Sequence, residues 1–176
     1  MSMADASIAR SIPACRIRPA TPQDFDAVFA LFQSILNEGG TYSYSPEEMT
    51  AERSRQYWMD APGTHCHIAE VDGQFAGCYA LRPNRTGRAG HVANASFIVH
   101  PGFRGMGVGR SLGQHALATA KQLGYTDMQY NFVVSVNDVA VKLWKSLGFV
   151  VVGTLPQGFA HVSKGLVDVY IMHRKL

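Results

Sequence analysis

The sequence lacks paired cysteines, long apolar runs and an apolar leader. Its three cysteines, at positions 15, 66 and 78, form no CxxC or CxxxC pair and are not spaced as metal ligands with its seven histidines. An odd number without a framework spacing is typical of reduced thiols in a cytoplasmic protein. No stretch approaches the ~20 apolar residues that cross a bilayer, and the first dozen residues lack a signal-peptide core. We therefore expect a cytoplasmic protein with no metal site and no membrane span.

Charge of one sign is also scarce. Sixteen Lys and Arg face thirteen Asp and Glu, which leaves +3 and no run of like charge. Because nucleic-acid binders concentrate their basic residues, we expect neither nucleic acid nor membrane as a partner. The 176 residues, 47% hydrophobic and 16% charged, suit one globular domain. We expect residues 1–14 to be a flexible leader and residues 15–176 to be that domain.

Hydrophobic periodicity predicts a mixed α+β domain. Apolar residues at helical spacing predict helices over 22–38, 45–60, 107–123 and 137–147. Apolar or alternating segments predict strands over 15–18, 65–71, 74–81, 91–99, 128–135, 149–152 and 167–172, with a hairpin turn at Asp72-Gly73. The element order is therefore β, α, α, a run of antiparallel strands, then β-α-β-α-β-β. This order predicts a mixed sheet with helices on its faces.

The turn after the strand that ends at Val99 is the most informative segment. Glycine occupies positions 102, 105, 107 and 109, and an amphipathic helix begins there. Glycines let backbone N–H groups approach an oxyanion closely, and the helix N-terminus adds positive partial charge. Arg104 and Arg110 add two cations. The segment therefore predicts a cradle for phosphate or pyrophosphate.

Spacing excludes two common nucleotide motifs at this turn. The dinucleotide fingerprint needs glycine at position 110 or 112, and the P-loop needs glycine at 104 and lysine at 110. The chain has Arg104, Arg110 and Leu112 instead. Residues 104–109, RGMGVG, do match [QR]-x-x-G-x-[GA]. In this they resemble the acyl-CoA cradle of the GNAT-type N-acetyltransferases.

A second block lies downstream at the family's usual separation. Residues 137–149 contain N-x-x-A-x-x-L-W-x-x-x-G-F, similar to the family signature N-x-x-A-x-x-[LF]-[YW]-x-x-x-G-F. With the element order, the resemblance covers roughly residue 15 to the C-terminus. It implies a single-domain α+β fold with a mixed, mostly antiparallel sheet, helices on both faces and splayed central strands. It also implies an acetyl-CoA-dependent N-acetyltransferase that needs no metal. Family members often form homodimers, so the apolar late strands would serve either such an interface or the core.

The resemblance implies that acetyl-CoA lies where the fourth and fifth strands separate. The backbone of Ile98 and Val99 would pair with the pantetheine, and a main-chain N–H there would polarise the thioester carbonyl. Asn137 would contact the pantetheine or the thiol end. The cofactor's phosphates would be held by the cradle residues, which are Arg104, Gly105, Met106, Gly107, Val108, Gly109 and Arg110. Because transfer from thioester to amine is direct, the cysteines need no nucleophilic role.

Trp144 departs from many relatives, which have a tyrosine there that can protonate the leaving thiolate. An indole N–H is far too weakly acidic for that role. Two interpretations stay open. In both, Trp144 itself is taken as a packing wall for the pantetheine. In the first, water or another residue protonates CoA. In the second, hydrogen bonds stabilise the departing thiolate.

Asn94 and Asn131 are polar residues in strands that otherwise have the pattern of buried strands. A buried carboxamide needs partners, so each is either a structural amide or a group that orients the amine and carboxylate of an amino-acid acceptor. Such a pair around Trp144 resembles the fungal acetyltransferases of proline analogues, a subgroup within the family's small-molecule branch of phosphinothricin and proline-analogue acetyltransferases. We take Asn94 and Asn131 as the candidate catalytic residues.

The sequence offers no evident general base. His91, His100, Glu38 and His161, the last in a predicted loop over 156–161, are the candidates, and Tyr42 and Tyr44 are candidates for lining the acceptor pocket. The favoured function is acetyl transfer from acetyl-CoA to the amine of a small molecule, an amino acid or analogue. The alternatives are a protein or peptide N-acetyltransferase, a non-catalytic acyl-CoA sensor, and a structural domain that binds no CoA.

Overall fold

Seven strands form one sheet in the computed structural model, which describes residues 15–176. The predicted leader, residues 1–14, lies outside the described residues. The spatial order of the strands is β1-β2-β3-β4-β5-β7-β6, and β4 with β5 is the parallel pair among otherwise antiparallel neighbours. This confirms the mixed, mostly antiparallel sheet. The strands are β1 Cys15–Pro19, β2 His65–Val71, β3 Gln74–Pro83, β4 Val92–Val99, β5 Asp127–Val134, β6 Val150–His161 and β7 Gly165–Lys175.

Helices cover both faces of the sheet, as predicted. They are α1 Phe25–Glu38, α2 Ala51–Arg55, which continues into a π-helical turn Gln56–Asp60, α3 Val108–Gln122 and α4 Asp138–Ser146. Alternation along β3 divides the core between the faces. Cys78 and Ala80 pack with α1 and the π-helical turn, whereas Tyr79 and Leu81 pack with α3 and α4. A single-domain α+β fold is therefore confirmed over the described residues.

The sheet forks between β4 and β5. These strands pair only where Val92 and Ala93 meet Asp127 and Met128, whereas β4 stays paired with β3 along its length. Just beyond the last pair, the Asn94 side-chain Nδ2 donates to the backbone oxygen of Gln129 at 2.8 Å. Past this bridge, the edge of β4 that faces β5 has backbone groups without strand partners. The fork confirms the prediction of splayed central strands.

The helix predicted over 45–60 starts later than predicted. Ser45 and Glu48 do exchange capping hydrogen bonds, but these bonds close a turn. The helix α2 begins at Ala51 with Thr50 as its N-cap. The backbone oxygen of Met49 instead accepts from the side chains of Gln33 and Ser54, so it is diverted from a continuous helix.

The segment 156–161, predicted as a loop, belongs to β6. Both β6 and β7 extend well beyond the predicted 149–152 and 167–172. The register shifts between Leu155 and Phe159, and Gln157 has a φ of 53°, so a bulge accommodates the Pro156 and Gly158 that argued against a strand. Proline is tolerated in an edge strand, and β6 lies at the end of the sheet.

Candidate active site

The glycine-rich turn joins β4 to α3 with an open surface. Gly105 and Gly107 have φ of +78° and +83°, and a Cβ added at either would meet nothing within 4 Å. The N-cap of α3 is Gly107, which has no side chain to accept from the N–H groups of the first helical turn. Those groups lie at the positive end of the helix dipole, so the turn fits the phosphates of acyl-CoA.

The other cradle residues contribute in different ways. Val108 is buried in the core, so its backbone alone is available, whereas Met106 is exposed. A Cβ added at Gly109 would lie 3.4 Å from the Leu143 side chain and 3.8 Å from the Val99 side chain, which leaves little room for a larger residue. The cradle is therefore built from backbone against a packed base.

The two arginines of the turn contact neighbouring helices. Arg104 Nη2 lies 2.8 and 3.0 Å from the carboxylate oxygens of Glu38, at the end of α1. Arg110 Nη2 donates to the Ser146 hydroxyl of α4 at 3.0 Å. Both arginines are exposed and tie the cradle to the helices on either side, and Glu38 neutralises the charge of Arg104.

The strand residues Ile98 and Val99 lie on the open side of the fork. They pair with Cys78 and Gly77 of β3, so the backbone groups on that edge of β4 already have partners. The other edge, past Ala93, has no pairing with β5. Backbone N–H and C=O groups there are obligatory hydrogen-bonding groups, and an extended amide chain such as pantetheine matches them.

A pocket of about 330 Å³ lies at the same fork. Its walls come from the loop 41–44, the π-helical turn, the end of β3, the strands β4 and β5, and α4. It brings together four residues singled out from the sequence, Asn94, Asn131, Asn137 and Trp144, and the loop tyrosines Tyr42 and Tyr44. Two of the predicted cofactor residues, Asn137 and Trp144, thus line one cavity with the predicted acceptor residues.

The carboxamides in this pocket are partly engaged. Asn131 Nδ2 donates to Asn84 Oδ1 at 2.5 Å, and Asn131 Oδ1 accepts from Gln129 Nε2 at 2.8 Å. Asn94 bridges the fork through its Nδ2, and Asn137 Oδ1 caps α4 by accepting from Ala140 N at 3.2 Å. Each amide therefore has a structural partner and also faces the pocket, with hydrogen-bonding capacity left over. Sequence reasoning missed Asn84, which follows β3 in an irregular segment.

Trp144 lies among aromatic rings. Its ring centroid is 4.8 Å from that of Phe97 and 4.8 Å from that of Tyr130, and the residue is 8% exposed. This packing favours the interpretation of Trp144 as a wall. Burial also raises the pKa of the neighbouring Tyr130 well above its usual value, so that phenol is protonated at neutral pH.

The sequence-derived base candidates lie outside the pocket. Glu38 pairs with Arg104, His100 Nδ1 accepts from Gly102 N at 3.1 Å, and His161 Nδ1 accepts from Ser163 N at 3.2 Å. His91 is exposed. Over residues 15–176, no aspartate, glutamate or histidine lines the pocket. Therefore no carboxylate or imidazole of residues 15–176 is placed in the pocket wall to take a proton from the acceptor amine.

Tyr42 closes one side of the pocket. Its hydroxyl donates to the backbone oxygen of Phe97 in β4 at 2.9 Å, and its ring packs edge-on against Phe32 of α1. Burial raises the pKa of this hydroxyl well above its usual value. Tyr42 is thus a neutral cover that ties the loop to the strand, whereas Tyr44 is more exposed.

A second group of pocket residues was missed by sequence reasoning. The Tyr57 hydroxyl lies 2.7 Å from the Ser96 hydroxyl, and Arg82 donates to the Ser96 hydroxyl at 3.1 Å and to the Tyr57 backbone oxygen at 2.9 Å. The guanidinium carbon is 4.4 Å from the centre of the Tyr57 ring. Burial raises the pKa of Tyr57, against the opposing effect of Arg82. The signal in the sequence was an arginine directly after the apolar segment 75–81.

The described residues offer no metal site beside the pocket. No cluster of histidine, cysteine, aspartate and glutamate within 15–176 has a metal-binding arrangement.

Cys78 is buried and Cys15 and Cys66 are half-buried. Burial raises the pKa of the Cys78 thiol. Among the helices of this part of the chain, none has the length and apolar character to span a membrane.

Known proteins share this architecture. The structure of a GCN5-related N-acetyltransferase from Kribbella flavida aligns with a TM-score of 0.88 and 43% identity over 93% of this chain and 98% of that chain. N-acetyltransferase aca1 of Schizosaccharomyces pombe is 33% identical over 114 residues, 63% of this chain and 54% of that protein, so the chain spans about half of it. YwnH of Bacillus subtilis, a proposed phosphinothricin acetyltransferase, is 27% identical over 91% of this chain and 98% of its own length.

The family model extends over both sequence blocks and the fork between them. The model of the acetyltransferase (GNAT) family matches residues 29–149, more than half of the chain. That range includes most of α1, the sheet from β2 to β5, the glycine-rich cradle and all of α4. Fold and sequence therefore agree, and the chain belongs to the acetyltransferase (GNAT) family.

Proposed function

We propose that the protein transfers the acetyl group of acetyl-CoA directly to the amine of a small molecule, an amino acid or amino-acid analogue. The observation that carries this proposal is the pocket of about 330 Å³ at the fork of β4 and β5. That volume lies at the lower end of small-molecule sites. The Tyr42 hydroxyl donates a hydrogen bond to the Phe97 carbonyl. This contact closes one side of the pocket and blocks the path that an extended peptide acceptor would take along β4.

The cofactor end of the site is assigned to backbone groups. We assign the phosphates to the N–H groups of residues 105–110, with Arg104 and Arg110 beside them, and the pantetheine to the free edge of β4 at Ile98 and Val99. Asn137 and Trp144 then border the thiol end. When bound, acetyl-CoA supplies an activated acyl carbon. A main-chain N–H of β4 is the group that would stabilise charge on the acyl oxygen, a contact of about 3 kcal/mol.

Proton movement is assigned to solvent at both ends of the reaction. No carboxylate or imidazole of residues 15–176 lines the pocket, so the acceptor ammonium loses its proton to water. Trp144, an aromatic wall without an acidic proton, leaves protonation of the CoA thiolate to water as well. The amides of Asn94 and Asn131 orient the acceptor.

Similarity to a named relative supports the acceptor class. YwnH, to which the chain is similar over nearly its whole length, carries the name of an enzyme for phosphinothricin, an amino-acid analogue. The polar amides and small volume of the pocket fit a compound of that size.

The test is CoA-thiol release from acetyl-CoA across acceptors, with an enzyme-only blank for the three cysteines. The panel holds free amino acids, proline analogues, phosphinothricin, methionine sulfone, polyamines, aminoglycosides and short peptides. We expect release with amino acids or their analogues. Release with peptides alone would overturn the proposal in favour of a peptide N-acetyltransferase. Acetyl-CoA binding with no release for any acceptor would favour a sensor.

We also propose that residues 15–176 act as one cytoplasmic domain that forms a homodimer through β6. This edge strand exposes Val150 and Val152 at 58% and 59%, and edge pairing with a second copy would cover both in a two-fold interface. Val152→Glu should produce monomers by size-exclusion chromatography with light scattering. Val139→Glu, at a residue 80% exposed on α4, is the matched control. A monomeric unmodified protein would contradict the interface.

A further inference from the structure

Arg82 is the charged residue of the acceptor pocket. It lies near the end of β3, directly across from Asn94 of β4 in the strand register. Side chains at such paired positions share a face of the sheet and lie within reach of each other. Arg82, Asn94 and Ser96 therefore line the same wall, on the side of the sheet covered by α1 and the π-helical turn.

The guanidinium is held in place but incompletely satisfied. One terminal nitrogen donates to the Tyr57 carbonyl and the other to the Ser96 hydroxyl, while the Tyr57 ring lies 4.4 Å from its carbon. Its Nε is buried and has no hydrogen-bond partner among the described residues. The second hydrogen of each terminal nitrogen likewise has no partner in residues 15–176. An arginine fixed in this way is pre-organised to bind a ligand.

Its charge also lacks a counter-charge among residues 15–176. Each ion pair of the described residues involves Arg18, Arg104 or His173, and no acidic residue of 15–176 lines the pocket. Isolated charge in a partly enclosed site is costly unless an opposite charge joins it. Tyr57 and Ser96 supply neutral oxygens, which orient the guanidinium without neutralising it.

We propose that Arg82 is the residue that determines acceptor specificity, by binding a carboxylate that the acceptor carries next to its amine. This inference rests on the proposed function and narrows it from small amines to zwitterionic amino acids. A carboxylate accepts paired hydrogen bonds from a guanidinium, and the neighbouring Asn94 amide is placed to bind the same group. The pocket's positive charge disfavours polyamines, aminoglycosides and lysine side chains.

The test compares an amino acid with its own carboxamide as acceptors. Both present the same amine on the same skeleton, and the carboxamide lacks the negative charge. We expect kcat/KM to favour the acid by about 10- to 100-fold, the range of a charge-assisted contact. An aminophosphonate of matched length distinguishes a planar carboxylate from a tetrahedral oxyanion, and we expect it to be the poorer acceptor.

Substitutions test whether Arg82 causes the preference for the amino acid over its carboxamide. Arg82→Gln should remove the preference by raising KM for the acid, with little change for the carboxamide, and Arg82→Lys should restore part of it. Arg85→Gln, an exposed arginine three positions further along, is the control. Unchanged acetyl-CoA affinity would show that Arg82→Gln is folded. Equal use of acid and carboxamide by the unmodified protein, or an equal loss for both in Arg82→Gln, would overturn the inference.

A binding measurement separates this inference from the proposed function. Calorimetry with CoA present compares an N-acetyl amino acid with the N-acetyl amino-acid amide, and it needs no turnover. If thiol release fails for every acceptor, the proposed function fails. Tighter binding of the acid, lost in Arg82→Gln, would still support the carboxylate site. Equal binding of acid and amide would overturn it.

Discussion

The two halves of the site are built on different principles. The proposed cofactor half centres on one strand–turn–helix segment, where backbone N–H groups at residues 105–110 form its surface, and it extends to Asn137 and Trp144 at α4. The acceptor half draws single side chains from the loop 41–44, the π-helical turn, β3, β4, β5 and α4. In the cofactor half the arginines are exposed and engaged by Glu38 and Ser146. In the acceptor half Arg82 is half-buried, and no carboxylate of residues 15–176 pairs with it. In the proposed site, backbone would hold the anion in one half and a side chain would do so in the other.

The largest expected effect tests the cofactor half alone. Gly107→Glu places a side chain at a φ of +83° and a negative charge at the phosphate site. We expect acetyl-CoA affinity to fall by at least about 100-fold, since both space and charge then oppose the ligand. Equilibrium binding by calorimetry measures it.

Gly124→Glu is the matched control for that change. Gly124 has a φ of +86° with nothing within 4 Å, and it follows the other end of α3. Both variants share the backbone strain, of order 1 kcal/mol, so Gly124→Glu should lower Tm and leave acetyl-CoA affinity unchanged. Equal affinity of Gly107→Glu and the unmodified protein would contradict the cradle.

The second effect tests the acceptor half alone. Asn131→Ala removes an amide that bonds both Asn84 and Gln129, and it leaves those amides without a partner. We expect kcat/KM for the acceptor to fall by about 10-fold, with acetyl-CoA affinity retained. Asn94→Ala should act in the same direction. Asn37→Ala, at an exposed amide of α1, should change neither; full activity of both pocket variants would make these amides purely structural.

The sequence predicted the proposed cofactor half better than the acceptor half. The fold class and the glycine-rich turn were predictable because each depends on local periodicity or on glycine spacing within one segment, and the fork was implied by the resemblance to the GNAT family. Arg82, Ser96, Tyr57 and Asn84 were not selected, because only the paired register of β3 and β4 and the approach of the π-helical turn bring them together. The start of α2 and the extent of β6 were wrong for a related reason. Gln33 diverts the Met49 carbonyl from outside the segment, and an edge position tolerates Pro156.

A third, intermediate effect concerns pH. With no carboxylate or imidazole of residues 15–176 lining the pocket, kcat/KM should rise with pH until the acceptor amine reaches its own pKa. Two acceptors whose ammonium pKa values differ should therefore give profiles displaced by that difference. Profiles that level off at one common pH near neutrality would reveal a protein base and contradict solvent deprotonation.

The smallest effect is expected away from both halves. Burial, with the nearby His115, lowers the pKa of His67 to about 4 from 6.5, so below pH 6.5 the unfolded chain binds a proton that the folded chain does not. Stability should therefore fall as pH drops from about 6.5 to about 4, and no further from this group. Thermal melts across that range should show a weaker decline for His67→Gln than for a variant of the exposed His65. An unchanged decline would contradict the assignment.

The most direct measurement of the central claim is a competition. The protein is incubated with acetyl-CoA and an equimolar mixture of free amino acids, polyamines, aminoglycosides and short peptides, and mass spectrometry identifies which components are acetylated. The account predicts that N-acetyl amino acids form first and that polyamines and aminoglycosides are spared. Acetylation of peptides or polyamines ahead of free amino acids would contradict it.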